Sequence, residues 1–197
     1  AEHLNRLHMS ADGISLKIPF DDKWFKNQII RTLVETANQE SYIRIVVTRG
    51  IGEIDIDPNS CHSSCVLIYV TSARTYPLEL YENGIQLAVV NIKRNSKDSL
   101  NPGIKTGNYL NNVLAKMEAV RLGAQDALML NPIGELTEST TSNIFFILDG
   151  RIMTPSSDCG ILTGITRDIV IKIASENGFL FEEGRWPIDI LEKANEM

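Results

Sequence analysis

Hydrophobic residues in the first third of the chain follow two different spacings. A spacing of three and four residues predicts two helices: a short one that ends near Gly13 and a longer one over residues 21–39, which begins on an aspartate that can cap it. Runs rich in β-branched residues at 42–48 and 65–71 predict two strands. This part of the chain therefore has the pattern of a small α/β unit.

The rest of the chain mixes helices with short strands. Apolar residues repeat at three and four over residues 108–122, and Gly123 ends this predicted helix; a further helix is predicted over 166–177. Asp149-Gly150 is a typical hairpin turn. The predicted strands are 87–92, 127–130, 135–138, 143–148, 151–153 and 179–182, with a short helix over 187–193. The predicted fold class is α/β in the sense of mixed α and β.

Composition narrows the class of protein. Of the 197 residues 43% are hydrophobic, which argues against a disordered chain, and a net charge of −6 argues against a nucleic-acid-binding protein. No apolar run has the length of a membrane span, and the N-terminal residues lack the apolar core of a signal peptide. Three cysteines fit a reducing compartment better than a disulfide scaffold. We therefore expect a cytoplasmic protein that binds neither nucleic acid nor membranes.

The segment that leads into the 166–177 helix is a candidate phosphate site. The first N–H groups of a helix have no partner within it, and the helix dipole adds partial positive charge there. Gly164 lets the backbone approach an anion closely, and Thr166 adds a hydroxyl donor. An ordinary capped helix would show the same pattern.

Lys105 and Glu138 are candidate catalytic residues. Lys105 lies between a Pro-Gly turn and the start of the 108–122 helix, whose dipole would lower the pKa of the amine and favour Schiff-base chemistry. Glu138 lies at the end of a predicted strand, where a carboxylate could enter a polar pocket and pair with a cationic nitrogen. A solvated loop lysine and a surface glutamate are the alternatives.

A metal site is not expected. Cys61, His62 and Cys65 could form half of a zinc site, but nothing nearby in the sequence supplies the remaining ligands.

Several motifs, in their order along the chain, resemble those of the class IV aminotransferases, which are fold-type IV pyridoxal-phosphate enzymes. The motifs are Lys105-Thr-Gly-Asn-Tyr109, Gly134-x-Leu-x-Glu138, Asn143-Ile-Phe145, Met153-Thr-Pro155 and Leu162-Thr-Gly164-Ile165-Thr166-Arg167. Further similarity to the family lies in Glu2-His-Leu-Asn-Arg6-Leu7 and in Tyr42-Ile-Arg44. The resemblance covers essentially the whole chain.

The family's fold implies a small N-terminal α/β domain and a larger pseudo-barrel domain. Applied to this chain, it places the small domain at residues 1–72, a linker at 73–80, and the cofactor-binding domain at 81–197. The family pattern extends beyond both ends, so we expect a chain that is truncated at both ends. The family completes its site across a dimer, which implies a homodimer or a higher homo-oligomer.

The resemblance implies pyridoxal 5′-phosphate as the cofactor and assigns residues to it. Lys105 would form the Schiff base and shuttle a proton, Glu138 would pair with the pyridine nitrogen, and Tyr109 would hydrogen-bond the phenolic oxygen. The residues that would hold the phosphate are Arg6, Gly164, Ile165 and Thr166. Asn143 belongs to the motif without an assigned role.

Branched-chain amino acid aminotransferases are the subgroup with the best match. Asn108-Tyr109 favours them. D-amino-acid aminotransferases typically carry an Arg-x-His carboxylate trap, and the matching positions here are Ile54 and Ile56, which cannot bind a carboxylate. The candidate substrate-binding residues are Tyr42, Arg44 and Tyr76.

The expected function is ping-pong transfer of the amino group of Leu, Ile or Val to 2-oxoglutarate, with small amino acids and 2-oxo acids as partners. Three alternatives remain open. Two are other members of the family: a D-amino-acid aminotransferase and an aminodeoxychorismate lyase. The third is a cofactor-free fragment that acts only as a structural or dimerising module.

Overall fold

The computed structural model describes residues 1–197 and divides them into two compact units, Ala1–Glu82 and Asn83–Met197. The division falls shortly after residues 73–80, the predicted linker. Helices and strands occur in both units, as predicted. None of the helices combines the length and the apolar character that a membrane crossing needs.

The first unit combines helices with a two-stranded antiparallel sheet. Its elements are α1 (Glu2–Gly13), α2 (Asp22–Val34), β1 (Ser41–Thr48), β2 (Cys65–Ser72) and, at the boundary between the units, α3 (Leu78–Asn83). The two strands pair along their full length, from Ser41 opposite Ser72 to Thr48 opposite Cys65. The loop between them contains a 3₁₀ turn at Pro58–Ser60.

Helix α2 begins as predicted but ends earlier. Asp21 caps it by accepting the N–H of Trp24 at 2.8 Å. The sequence pattern extended this helix to residue 39, which is wrong. Thr36 donates both its N–H and its hydroxyl to the carbonyl of Leu33, at 3.0 and 2.9 Å, and these bonds close the last turn at Val34.

The second unit contains two three-stranded sheets, each with one parallel and one antiparallel pair. Its strands are β3 (Leu87–Val89), β4 (Asp126–Leu130), β5 (Leu136–Ser139), β6 (Phe146–Leu148), β7 (Arg151–Pro155) and β8 (Phe181–Gly184). Its helices are α4 (Lys97–Leu100), α5 (Leu110–Arg121) and α6 (Ile165–Glu176), followed by a 3₁₀ helix at Ile188–Lys193. The strand orders are β3-β4-β5 and β6-β7-β8.

Strand β4 is the centre of the second unit because both of its faces are buried. On one face, Leu128 and Leu130 join a cluster that also contains Phe146 of β6 and Met153 of β7, so this core links the two sheets. On the other face, Ala127 and Met129 contact α5. The small side chains Ala115 and Ala119 let that helix pack closely on the strand.

Three differences from the sequence prediction have local physical causes. Helices α3 and α4 were not predicted, because they are too short to show a helical period of apolar residues. The strand predicted over 87–92 ends at Val89, since the Glu118 carboxylate takes the N–H groups of Asn91 and Ile92 at 2.9 and 3.3 Å. The strand predicted over 143–148 begins only at Phe146, after a tight turn described below.

The hairpin between β6 and β7 was predicted correctly. Asp149 and Gly150 both have positive φ angles, 50° and 73°, which is the backbone that a two-residue turn of this kind requires. Helices α5 and α6 are likewise followed by Gly123 and Gly178, each with a positive φ angle.

Candidate active site

Lys105 lies in a loop of consecutive tight turns between α4 and α5. The N–H of Ile104 donates to the carbonyl of Asn101 at 3.1 Å, and the N–H of Thr106 donates to the carbonyl of Ile104 at 2.9 Å. Lys105 is therefore the central residue of a three-residue turn. Its side chain is exposed, and Tyr109 at the end of the loop is the N-cap residue of α5.

Glu138 lies within β5 and is buried, with 5% of its surface exposed. A tight turn follows at once, in which the N–H of Ser139 donates to the carbonyl of Ser142 at 2.8 Å. This turn brings Asn143 back to pair with Glu138 as an isolated antiparallel bridge. The short polar run after the strand thus places Asn143 beside Glu138.

Four donors surround the Glu138 carboxylate. Nε and Nη2 of Arg94 each lie 2.9 Å from Oε1. Nδ2 of Asn143 and the backbone N–H of Leu162 donate to Oε2 at 3.1 and 3.0 Å. Because both oxygens are held, the orientation of the carboxylate is set by the protein itself.

Burial and charge oppose each other at Glu138. Desolvation raises the pKa of Glu138 above its ordinary value. The Arg94 guanidinium, the Leu162 N–H and the Lys105 ammonium act in the opposite direction and limit the rise. Lys105 and Glu138 lie in the same unit, and the charge of Lys105 makes the smallest of these contributions.

The start of α6 lies beside this carboxylate. Gly164 is its N-cap residue, and no side chain caps the helix, so its first N–H groups can serve an acceptor from outside. Nδ2 of Asn143 also donates to the carbonyl of Leu162 at 2.8 Å, just before the helix. A Cβ atom at Gly164 would lie 2.3 Å from Oδ1 of Asn143, so only glycine permits this approach.

Arg167 fixes the position of α6. It is 3% exposed, and its Nη2 donates to the carbonyl of Pro155 at 3.0 Å and to Glu183 at 2.6 Å. These contacts tie the first turn of the helix to β7 and β8.

The residues predicted for the site are divided between the two units. The second unit holds Lys105, Tyr109, Glu138, Gly164, Ile165 and Thr166. The first unit holds the others: Arg6 in α1, Tyr42 and Arg44 two residues apart in β1, and Tyr76 in the loop after β2. Tyr42 and Tyr76 are 58% and 60% exposed. Their predicted roles stay predictions.

Arg94 is the residue that sequence reasoning missed. It is 8% exposed and supplies two of the four donors to Glu138, although 44 positions separate the two residues. Sequence analysis anticipated a cationic nitrogen opposite Glu138 but offered no candidate within the chain. The one available signal was an arginine two residues after the apolar run predicted as a strand over 87–92.

Comparisons with known proteins agree with this geometry. A family model described as amino-transferase class IV matches residues 1–197. A provisionally named branched-chain-amino-acid aminotransferase of Methanocaldococcus jannaschii is 37% identical over 196 residues, which cover 100% of this chain and 67% of the relative. The D-alanine aminotransferase of Listeria monocytogenes is 29% identical over 201 residues, which cover 100% of this chain and 67% of that protein.

A solved structure gives the same result in three dimensions. The crystal structure of the T.th. branched-chain amino acid aminotransferase with pyridoxamine 5′-phosphate matches with a TM-score of 0.92 and 31% identity, over 98% of this chain and 64% of that chain. The chain thus spans about two thirds of the length of these proteins. The match of the family model over all 197 residues, together with the similarity of the fold, shows that the chain belongs to the class IV aminotransferase family.

Proposed function

We propose that the protein is a pyridoxal-phosphate-dependent aminotransferase that transfers the amino group of L-leucine, L-isoleucine or L-valine to 2-oxoglutarate. The observation that carries this proposal is the Glu138 carboxylate. It is buried, oriented by four donors, and within electrostatic reach of Lys105. Perturbed ionisable groups held in this way are typical of catalytic sites.

The residues present fit pyridoxal phosphate. Its ring nitrogen needs an anionic partner, for which Glu138 is suited, and its phosphate needs N–H donors, for which the uncapped start of α6 is suited. Asn143 contacts both regions, through Glu138 on one side and Gly164 on the other. The two binding regions therefore keep a fixed separation, as a rigid cofactor with a ring and a phosphate requires.

Each chemical role belongs to a named atom of this chain. When bound, pyridoxal phosphate supplies an electron sink for the charge left at Cα of the amino acid. Nζ of Lys105 is the atom that would hold the cofactor, and once the amine of the substrate has displaced it, the free amine would accept and return the Cα proton. The Glu138 carboxylate holds a proton at the ring nitrogen, which requires that Glu138 itself be ionised.

The remaining contacts are assigned by the same proposal. The hydroxyl of Tyr109 binds the phenolic oxygen of the cofactor, and the phosphate is bound by Arg6, Ile165 and Thr166 together with Gly164. Arginine suits this role because its planar fork matches phosphate oxygens. The substrate is bound by Tyr42, Arg44 and Tyr76.

We extend the proposal to a homodimer in the cytoplasm. Helix α5 offers a surface on which a second subunit could pack, because several of its large apolar side chains are 47–65% exposed. They are Leu110, Val113, Met117 and Val120. Size-exclusion chromatography with light scattering tests this part directly, and a monomer at micromolar concentration would contradict it.

The deciding experiment is an absorption titration of the purified protein with pyridoxal phosphate. We expect the wild type to show a visible band from the lysine-bound cofactor. Lys105→Ala should abolish this band and lower kcat by about 10⁴-fold or more. Lys172→Ala is the matched control, since Lys172 is an exposed lysine of the same unit, paired only with Glu176. A protein that stays colourless with added cofactor contradicts the proposal and favours a cofactor-free module.

Substrate choice is tested with L-leucine, D-alanine and aminodeoxychorismate in turn. We expect L-leucine to convert the cofactor to its amine form and D-alanine to leave it unchanged. Ile54 and Ile56 support this expectation, because both are fully exposed apolar residues with no means of pairing with a carboxylate. Conversion by D-alanine alone would assign the D-amino-acid subgroup, and release of pyruvate from aminodeoxychorismate would assign the lyase.

A further inference from the structure

Arg94 is a buried cation that uses its guanidinium entirely within the second unit. Two of its nitrogens contact Glu138, and its Nη1 lies 3.1 Å from Oδ1 of Asn111 on the first turn of α5. Building on the function proposed above, we propose that Arg94 is a positioning residue of the reaction. Arg94 acts by orienting Glu138, and Asn111 holds the Arg94 side chain in position by accepting a hydrogen bond from it.

The first step of the argument is orientation. Both Arg94 contacts converge on Oε1 of Glu138, whereas Oε2 is held from the opposite side by Asn143 and the Leu162 N–H. The carboxylate is clamped at both oxygens and cannot rotate about its last bond without breaking two hydrogen bonds. A carboxylate that must face one ring atom benefits from such a clamp.

The second step is the support behind Arg94. Asn111 contacts the backbone on both sides of it: its Nδ2 donates to the carbonyl of Lys93 at 2.8 Å, and its Oδ1 accepts the N–H of Asn95 at 3.4 Å. The N–H of Arg94 itself donates to Leu130 of β4 at 2.9 Å. The side chain is thus fixed by α5 and the backbone by the central strand.

The third step is charge. Arg94 and Lys105 are the two charged groups that act on Glu138; its other partners, Asn143 and the Leu162 N–H, are neutral. Burial alone favours the protonated form of the Glu138 carboxyl. Only the ionised carboxylate can stabilise a protonated ring nitrogen, because the protonated form carries no negative charge. Without Arg94, Glu138 would take up a proton at higher pH.

The fourth step is the position of α5 in the chain. The helix begins just after the loop that carries Lys105, and its first turn carries Asn111. One short segment therefore sets both the lysine and, through Arg94, the carboxylate.

The test compares four proteins: wild type, Arg94→Met, Arg94→Lys and Asn111→Ala. For each, the Kd of pyridoxal phosphate is measured from about pH 6 to 9 by fluorescence quenching, and kcat is measured with L-leucine. Arg185→Met is the matched control, because Arg185 binds Glu135 through Nε and Nη2 in the same unit at an exposed position.

We expect Arg94→Met to lower kcat by about 10–100-fold, the usual effect of losing a partner behind a catalytic group. The ratio of its Kd to the wild-type Kd should rise toward lower pH, because Glu138 then takes up a proton more readily than in the wild type. Arg94→Lys keeps the charge but loses the planar guanidinium, so the pH dependence of its Kd should follow that of the wild type, with a reduced kcat. Asn111→Ala should change kcat and the Kd of pyridoxal phosphate in the same sense as Arg94→Met, but by a smaller factor.

A double variant separates this role from a purely structural one. If Arg94 acts through Glu138, then Arg94→Met combined with Glu138→Gln is no slower than Glu138→Gln alone, within about twofold. Two losses that multiply would overturn the inference, as would an Arg94→Met protein that matches Arg185→Met. If Arg94→Met does not fold, Arg94→Lys and Asn111→Ala carry the same comparison.

The outcome also distinguishes this inference from the proposed function. Failure of the proposed function shows in the wild type, which would bind no pyridoxal phosphate. Failure of the present inference alone shows as a wild type that binds cofactor and turns over, beside an Arg94→Met variant that behaves as the control does.

Discussion

Two arginine–glutamate pairs have nearly the same chemistry, and their glutamates lie on either side of the start of β5. Arg94 contacts Glu138 inside β5, and Arg185 contacts Glu135 just before the same strand, in each case through Nε and Nη2 at 2.9–3.1 Å. Each glutamate also accepts a hydrogen bond from an asparagine side chain. The chemistry of the partners therefore does not separate the two pairs.

Exposure to water separates them. The Arg94 side chain is 9% exposed and the Arg185 side chain 50%. The hydrogen bond from Arg185 lowers the pKa of Glu135, whereas desolvation raises the pKa of Glu138 despite Arg94. The same ion pair is a minor stabilising contact at the surface. In the interior, the arginine takes the place of water as the group that stabilises the negative charge of the glutamate.

The largest difference between the pairs should appear in the reaction rate. Glu138→Gln replaces the anion with a neutral amide of the same shape, so we expect kcat to fall by about 10²–10⁴-fold while pyridoxal phosphate still binds. Glu135→Gln should leave kcat within about twofold, because Glu135 contacts no group assigned to the reaction. Steady-state assays with L-leucine and 2-oxoglutarate measure both, and equal rates for the two variants would show that the wrong carboxylate has been assigned.

A smaller effect should follow from loosening Glu138 without changing its charge. A methyl group in Gly164→Ala would lie 2.3 Å from Oδ1 of Asn143, so this amide must shift, and the shift strains its hydrogen bonds to the Glu138 carboxylate and the Leu162 carbonyl. We expect a loss of about 1–3 kcal/mol in the free energy of unfolding, measured by urea denaturation.

The matched control for this substitution is Gly107→Ala, where the added methyl meets no atom within 4 Å. We expect it to leave the free energy of unfolding nearly unchanged. A Gly164→Ala protein as stable as the control would show that Asn143 is not held as tightly as its two hydrogen bonds indicate.

The smallest expected effect is the pH dependence of stability, which has opposite signs for Glu138 and Glu135. The folded-state pKa of Glu138 is raised, so its contribution to stability is complete at low pH and is lost as pH rises through that pKa. The folded-state pKa of Glu135 is lowered, so its contribution is present above the ordinary glutamate pKa and is lost as pH falls.

Glutamine substitutions make this opposition measurable in the cofactor-free protein. As pH rises from about 3 to 7, the Tm of wild type relative to Glu138→Gln should fall, and the Tm of wild type relative to Glu135→Gln should rise. Thermal unfolding at several pH values checks both slopes. Slopes of the same sign would contradict the assignment of burial as the dominant effect at Glu138.

Several parts of this arrangement could be predicted from the sequence because their signals are local. The amphipathic period and the following glycine identify α5, and the Asp-Gly turn identifies the β6–β7 hairpin. Lys105 and Glu138 were identified as candidates from the order of short motifs along the chain. The helix and turn signals need only a few neighbouring residues, whereas Lys105 and Glu138 needed the order of several motifs from residue 105 to residue 167.

Arg94 could not be predicted because its meaning depends on the fold. Its partner Glu138 is 44 positions away, and the two meet only because β3 pairs in parallel with β4 and β4 pairs with β5. Asn143 is an intermediate case. It belonged to a recognised motif, but its chemical role depends on the turn at Ser139–Ser142, which returns it to the side of Glu138.

The position of Asn111 has a consequence for how related sequences can differ in length. Residues 106–109 alone separate Lys105 from the start of α5, and they form tight turns, with the N–H of Thr106 donating to Ile104 and the N–H of Tyr109 to Gly107. An insertion or deletion there would displace either Lys105 or Asn111. The connection between β1 and β2 is under no such constraint at Ile51, Ile54 and Ile56, which are 93–108% exposed. Variation in length should therefore accumulate between β1 and β2, while the spacing from Lys105 to Asn111 stays constant.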